Sequence, residues 1–166
     1  FAKLPPYGGS LANLITYLLS ETITIEQAGW RDLGAVRRLE QVCFPKDAWP
    51  LWDIIGVLSF SNVVRLKAVT ESGLVVGFVA GDIHRAEGIS WIATIGVLPE
   101  YQGRGIGRRL LEACEAQLPT RSIRLCVRKE NTVAIGLYLR SGYVRISEWR
   151  RYYQDGADAV VMEKNL

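Results

Sequence analysis

Gln102-Gly103-Arg104-Gly105-Ile106-Gly107-Arg108-Arg109 is the stretch on which the fold turns. Just before it, Ile89–Val97 is a strand-like run that ends short of Pro99. Just after it, Ile106, Leu110, Leu111, Cys114 and Leu118 recur at helical spacing as far as Pro119. The segment is therefore a strand-to-helix turn. Three alternate glycines let a ligand approach the backbone closely and expose N–H groups, and the helix N-terminus adds the positive end of its dipole. The combination predicts an anion cradle, with pyrophosphate as its usual occupant. It is not a P-loop, since no Lys-Ser/Thr follows. It is not the dinucleotide GxGxxG either, because the spacing is GxGxG. A plain glycine-rich turn is the competing reading.

Working outward, Val63–Thr70 and residues 74–82 read as strands joined at Glu71-Ser72-Gly73. Residues 22–26 alternate as a first strand. Residues 30–43 place Leu33, Val36, Leu39, Val42 and Cys43 near one helical face, and Phe44-Pro45 ends that helix. Pro50, at a first-turn position, opens a short second helix through Leu58. Beyond the glycine segment, Ser122–Arg128 is a strand with Ile123, Leu125 and Val127 on one face and Arg124, Cys126 and Arg128 on the other. Asn131 caps a helix over Thr132–Arg140, and Gly142 suits its C-terminal exit. Residues 143–152 and 157–164 form a last hairpin around Gln154-Asp155-Gly156. The order β-α-α-β-β-β-α-β-α-β-β predicts an α/β (α+β) protein, a mixed sheet with helices packed on it.

The length of 166 residues fits one domain. With 49% hydrophobic and 22% charged residues, the composition excludes a disordered or low-complexity chain. A domain of this size buries roughly 70% of its unfolded surface and needs no disulfide or metal staple. Cys43, Cys114 and Cys126 are odd in number and widely spaced. With no CxxC and the one histidine, His84, a structural zinc site is not expected. Unpaired cysteines point to a reducing compartment, most simply the cytoplasm. The longest near-apolar run, residues 73–81, is too short to span a bilayer. Residues 1–20 read as an extension whose segment 11–19 is an amphipathic helix and not a signal peptide. The chain begins at Phe1, not Met, which reads as a trimmed start or a tag remnant. Residues 21–166 form the main domain. The net charge of +3 is unevenly spread: residues 101–151 carry eleven Arg/Lys against four Glu. A basic half suits nucleic acid or a phosphorylated ligand, and a solvated arginine face is the plain alternative.

The run Val97-Leu98-Pro99-Glu100-Tyr101-Gln102-Gly103-Arg104-Gly105-Ile106-Gly107, then Leu110-Leu111, Asn131, Ala134-Ile135, Leu137-Tyr138 and Ser141-Gly142-Tyr143, resembles the GNAT acetyltransferase superfamily. Gln102, Gly105 and Gly107 match its Gln/Arg-x-x-Gly-x-Gly/Ala pattern. The 131–143 stretch, the Tyr152-Tyr153…Asp158-Ala159…Met162 ending and Phe44-Pro45 are similar to the ribosomal-protein-alanine N-acetyltransferase branch. The resemblance covers about residues 22–164. It implies a largely antiparallel sheet of about seven strands splayed at a central bulge, with about four helices. It also implies acetyl-coenzyme A as donor and a primary amine as acceptor, best a protein N-terminus. The pyrophosphate would lie on the amides of Gln102, Gly103, Arg104, Gly105, Ile106 and Gly107, beside Arg108. The pantetheine arm would pair with Ile95, Gly96 and Val97, with Asn131 bonding it. Gly96 suits the bulge, and the Val97 amide would serve as an oxyanion donor.

Tyr138 is the candidate general acid, because a phenol of pKa about 10 stays protonated at neutral pH and can protonate a departing thiolate. Its plain alternative is a core aromatic. Cys126, the second catalytic candidate, stands twelve residues before it, where the similar branch usually has a Glu base; water and backbone carbonyls, another carboxylate or a weak enzyme are the alternatives. A thiol of pKa about 8.5 is a poor substitute unless shifted. A glutamate placed there would sit on the face of Arg124 and Arg128, which could hold it ionised. Glu40 and Asp82 are the other carboxylates to test, each read first as a surface acid. An α-amine, with a pKa of about 7.7–8.0 against about 10.4 for lysine, needs less help. His84 reads as an exposed loop residue, and the five tryptophans as packing, with Trp49 and Trp52 at the acceptor mouth. Three other readings stay open: a coenzyme A sensor that lost turnover, an acetyltransferase of small amines, and a nucleic-acid binder. Coenzyme A phosphates account for the basic half with fewer assumptions than nucleic acid does. No membrane partner is expected, and the state is a monomer or a homodimer.

Overall fold

The computed structural model describes residues 21–166, so the expected helix over 11–19 lies outside the described residues. Seven strands make one sheet in the order β1-β2-β3-β4-β5-β7-β6. They are β1 (Ile23–Gln27), β2 (Val63–Thr70), β3 (Val75–His84), β4 (Ile89–Val97), β5 (Ser122–Arg128), β6 (Val144–Trp149) and β7 (Ala159–Asn165). Four helices accompany them: α1 (Leu33–Cys43), α2 (Leu51–Ser59), α3 (Ile106–Glu115) and α4 (Thr132–Arg140). Every strand pair is antiparallel except β4 with β5. The element order is the one the sequence pattern predicts.

Boundaries differ where local signals were weak. Pro50 is the N-cap of α2, outside its first turn. Helix α3 stops at Glu115, a turn before Pro119, although Leu118 still packs in the core. Val42 is 45% exposed, so it leaves the buried face of α1 that Val36 and Leu39 define. The last hairpin is shorter than its two apolar runs, because residues 150–158 form the connection between β6 and β7.

The decisive feature is the parallel pair. Strands β4 and β5 are in register only from Ile89–Ile92 against residues 122–125, and then part. The cause is one extra residue on β4. Thr94 pairs with Ala80 and Ile92 with Gly81, which leaves Ala93 unpaired as a bulge. Gly96, the residue expected to supply the bulge, instead pairs regularly with Phe78. Its missing side chain serves packing: a Cβ there would lie 3.0 Å from Leu39 Cδ2 and 3.2 Å from both Cys43 Sγ and Phe44 Cε2. Helix α1 thus presses directly on β4. On the other face, Gly77 and Gly81 admit Leu110 and Cys114 of α3, at 2.8 and 2.9 Å from an added Cβ. These close approaches set the two helical layers at the height where the cleft forms. Fully buried side chains such as Leu110, Leu111 and Met162 fill the interior, each contributing roughly 1.5–3 kcal/mol.

Candidate active site

The glycine segment follows β4 through a 3-10 turn at Pro99–Tyr101. Gln102 fixes it, since its Nε2 donates to the Val97 carbonyl at 2.9 Å. Gly103 and Gly105 adopt φ of +75° and +74°, the left-handed region that favours glycine. No atom lies within 4 Å of a Cβ added at either, so the space above the turn is open. Gly105 is the N-cap of α3, and the first helical bond runs from the Arg109 amide to the Gly105 carbonyl at 3.0 Å. The amides of Ile106, Gly107 and Arg108 therefore have no acceptor within the helix and face its N-terminal end. Gly107 packs beside Val97 and Leu137, 3.8 and 3.7 Å from where a Cβ would lie. The cradle consists of main chain. The Arg104 guanidinium lies over the Tyr101 ring and donates to the Glu100 carbonyl at 2.8 Å, while Arg108 pairs with Glu112 at 2.7 Å.

Beside the turn, the parted strands open into a cleft of about 170 Å³. Ile92 to Ile95 wall one side and Leu125 to Arg128 the other. The Leu98 amide donates to the Val76 carbonyl, which makes Gly77 and Val97 a non-hydrogen-bonded pair. The peptide groups of Val97 and Ile95 consequently turn away from β3, toward the opening. Asn131 reaches the cleft from the α4 N-cap, where its Oδ1 accepts from the Ala134 amide at 3.1 Å. The cap uses only that oxygen. Tyr138, on the buried face of α4, also lines the cleft. Burial first, and the Tyr153 phenol second, push its hydroxyl well above the usual tyrosine range, so it stays protonated. Its ring meets Tyr143 edge-on at 5.8 Å, and Tyr143 donates to Glu115 at 2.8 Å.

Cys126 is on the opposite wall. Burial raises its thiol, and the Tyr152 hydroxyl beside it only partly offsets this, so the thiol is no ready base at neutral pH. The arginines expected to hold a glutamate at this position are already engaged. Arg124 pairs with Glu163 at 3.0 Å. Arg128 grips Asp47 at 2.6 and 2.8 Å, with Asp155 and Glu130 at 3.1–3.2 Å.

Glu40 overturns the surface-acid reading. It is 1% exposed, lines the cleft, and accepts from Thr94 Oγ1 at 2.7 Å. Asp82 stays outside the cleft, bonded to Asn62 and His84. Trp49 lines the cleft, whereas Trp52 is 77% exposed and takes no part in it. Sequence reasoning missed Phe44, Asp47, Arg128 and Tyr153 as cleft residues. The Arg128–Asp47 pair joins positions 81 apart in the chain, and no local pattern announces such a contact. An aromatic run also escaped notice. Trp91 meets Trp149 at 6.0 Å, Trp149 meets Tyr152 at 5.4 Å, and Tyr152 meets Tyr153 at 5.1 Å, with Arg128 over the last ring. In the basic half, Arg108, Arg124, Arg128 and Lys129 form ion pairs, and Arg124 and Arg128 do so with acids outside it. Among the described residues, no group of three or more His, Cys, Asp or Glu could hold a metal. No described helix is long and apolar enough to cross a membrane.

A sheet opened at one strand pair, with an amide cradle at one end and a buried phenol farther along, defines an acyl-transfer class of fold. Residues 34–143 match the model of the acetyltransferase (GNAT) family, and the chain belongs to that family. It is 33% identical over 139 residues to an uncharacterized N-acetyltransferase of Methanocaldococcus jannaschii, covering 81% of this chain and 86% of that protein. It is 45% identical over 75 residues to N-alpha-acetyltransferase RimI of Mycobacterium tuberculosis, a match covering 45% of this chain and about half (48%) of that protein. Among solved structures, the ribosomal-protein-S18-alanine N-acetyltransferase of Escherichia coli superposes with a TM-score of 0.77 at 27% identity, covering 87% of this chain and 94% of that one.

Proposed function

We propose that the protein transfers the acetyl group of acetyl-coenzyme A to the α-amine of a polypeptide N-terminus. The observation that carries this reading is the course of the cleft: it is lined by Tyr138 and reaches Tyr153, the end of the exposed aromatic run. Trp149 is 40% and Tyr152 50% exposed. Such a platform contacts an extended chain, and a small amine would leave most of it unused. The names of the relatives support the same acceptor class.

In this reading the amides of 103–108 hold the pyrophosphate, and the peptide groups of Ile95 pair with the pantetheine arm as a strand would, the Val97 carbonyl being held by Gln102. Asn131 bonds the arm through Nδ2, left over from its cap. The Val97 amide stabilises the oxyanion as the amine attacks the thioester carbonyl directly. Tyr138 gives its proton to the departing thiolate. The three free cysteines suit a cytoplasmic setting. The test is an acceptor screen with acetyl-coenzyme A, reading thiol release and N-terminal mass gain on peptides with varied first residues, beside spermidine and an aminoglycoside. Peptides should turn over fastest. Turnover on spermidine or the aminoglycoside alone would overturn the polypeptide assignment.

A further inference from the structure

The cleft holds two carboxylates, and they are held differently. Asp47 is clamped by the Arg128 guanidinium through two bonds. Glu40 has no cation partner among the described residues. It accepts from the Thr94 hydroxyl, with the Trp49 backbone beside it, and it is almost fully buried on a helix face whose other inward positions are Val36 and Leu39. An unpaired carboxylate in such a place costs stability that an apolar side chain would not. The bulge gives it its partner. Ile92 lies on the α3 face, opposite Gly81, and the extra residue Ala93 resets the alternation so that Thr94 and Gly96 face α1. The same irregularity that parts β4 from β5 therefore brings a hydroxyl to the Glu40 carboxylate and opens the cleft beside it.

We infer that Glu40 is the general base of the reaction, doing the work that Cys126 does not, and that Thr94 is its positioning residue. The inference rests on the acetyl-transfer reading above. The acceptor ammonium passes one proton to the Glu40 carboxylate, directly or through one water. The freed nitrogen lone pair forms the C–N bond and the C–S bond breaks. The thiolate takes the Tyr138 proton, Tyr138 recovers one from the nitrogen of the collapsing intermediate, and Glu40 releases its own to solvent. Protons and electron pairs then balance as one amide, one thiol and one proton. The surroundings agree. Burial lifts the Glu40 carboxyl above the ordinary carboxylate range, while the bonds from Thr94 and Trp49 hold it back, which brings it closer to the amine it must deprotonate. The thiols and phenols around Glu40 and the cleft do not compete with it near neutrality. The thiols of Cys43 on α1 and Cys126 on β5 are raised, the former to about 11. The phenols of Tyr138 on α4 and Tyr153 in the β6–β7 connection are raised too, the latter to about 12. Asp47 and Arg128 compensate each other.

The experiment compares wild type, Glu40→Gln and Thr94→Val in the full chain, with a serine-initiated hexapeptide and with hydroxylamine, an acceptor already neutral at pH 7. Glu40→Gln should lower kcat on the peptide by about 10²–10⁴-fold, spare most of the hydroxylamine rate, and leave acetyl-coenzyme A binding by calorimetry unchanged. Thr94→Val removes a bond that favours the charged carboxylate, so it should move the rising limb of the pH–rate profile to higher pH. A wild-type peptide rate in Glu40→Gln, an equal loss on both acceptors, or an unmoved limb in a folded Thr94→Val would overturn the inference. Should Glu40→Gln fail to fold, the Thr94→Val profile decides alone. Failure of the polypeptide reading looks different: wild type would then turn over spermidine but not the peptide, and the same comparison is made with spermidine, whose amines are protonated at pH 7.

Discussion

At the α3 end of the candidate site, the groups on offer are main-chain amides from one run of consecutive residues, 103–108. At the opposite end they are the side chains of Glu40, Trp49, Cys126 and Tyr153, drawn from a helix, a loop, a strand and a second loop. The first end is shaped by backbone dihedrals: two glycines at positive φ and a helix N-terminus. The second is shaped by long-range pairing, above all by Arg128, which ties the α1–α2 loop at Asp47 to the β6–β7 connection at Asp155. The difference teaches where each end is vulnerable. A backbone cradle tolerates most side-chain changes and fails only when a dihedral or the local charge is altered. A side-chain wall fails wherever one tie is cut.

The sharpest way to break the cradle is Gly105→Asp. It forces an L-residue into φ +74° and sets a carboxylate where phosphate should lie. A like charge at about 4 Å costs about 4 kcal/mol at a surface-like dielectric, roughly a thousandfold in affinity. Calorimetry with coenzyme A should show no binding, while circular dichroism shows a folded protein. Between the two ends, Tyr138→Phe should cut kcat by about 10²–10⁴-fold with coenzyme binding near normal. An unchanged chemical rate alongside a lower Tm would make Tyr138 a core aromatic only.

At the wall, Arg128→Ala leaves the partly buried Asp47 without its cation. A loss of about 2 kcal/mol, or roughly 4–8 °C in Tm, is expected, with a raised peptide KM and unaltered coenzyme binding. Equal damage to coenzyme and peptide binding would erase the distinction between the ends. The smallest effect belongs to Cys126→Ala. The thiol stays protonated at neutral pH and carries no step in the proposed mechanism, so activity should hold and stability should fall by about 1 kcal/mol or less. A collapse of rate with folding and coenzyme binding intact would instead mark a covalent thioester on the sulfur and ping-pong kinetics.

The contrast between the ends is also a contrast in legibility. The Gln102–Gly107 cradle, the Asn131 cap and the Gly142 exit lie in contiguous residues whose conformations follow from neighbours in the chain, and each is found where its pattern placed it. Gly96 was misread because a strand glycine signals either a bulge or a close approach, and only the partner helix decides which. Glu40 was misread because a carboxylate on an amphipathic helix is normally solvated. One position on α1 separates burial from exposure, and the rotation of that helix is set by what it meets at Gly96.

The chain by itself determined the elements and their order, the glycine turn at a helix N-terminus and the presence of a phenol on the last helix. Those features rest on hydrophobic period, glycine dihedrals and capping, which act over a few residues. Only the tertiary structure decided that Ala93 is the bulge, that β4 and β5 part beyond Ile92, that Arg124 and Arg128 meet distant acids, and that Glu40 and Cys126 face one cleft. Pairing register and burial are properties of residues far apart in sequence. A carboxylate or a thiol acquires its chemistry from the dielectric and the partners that such contacts supply.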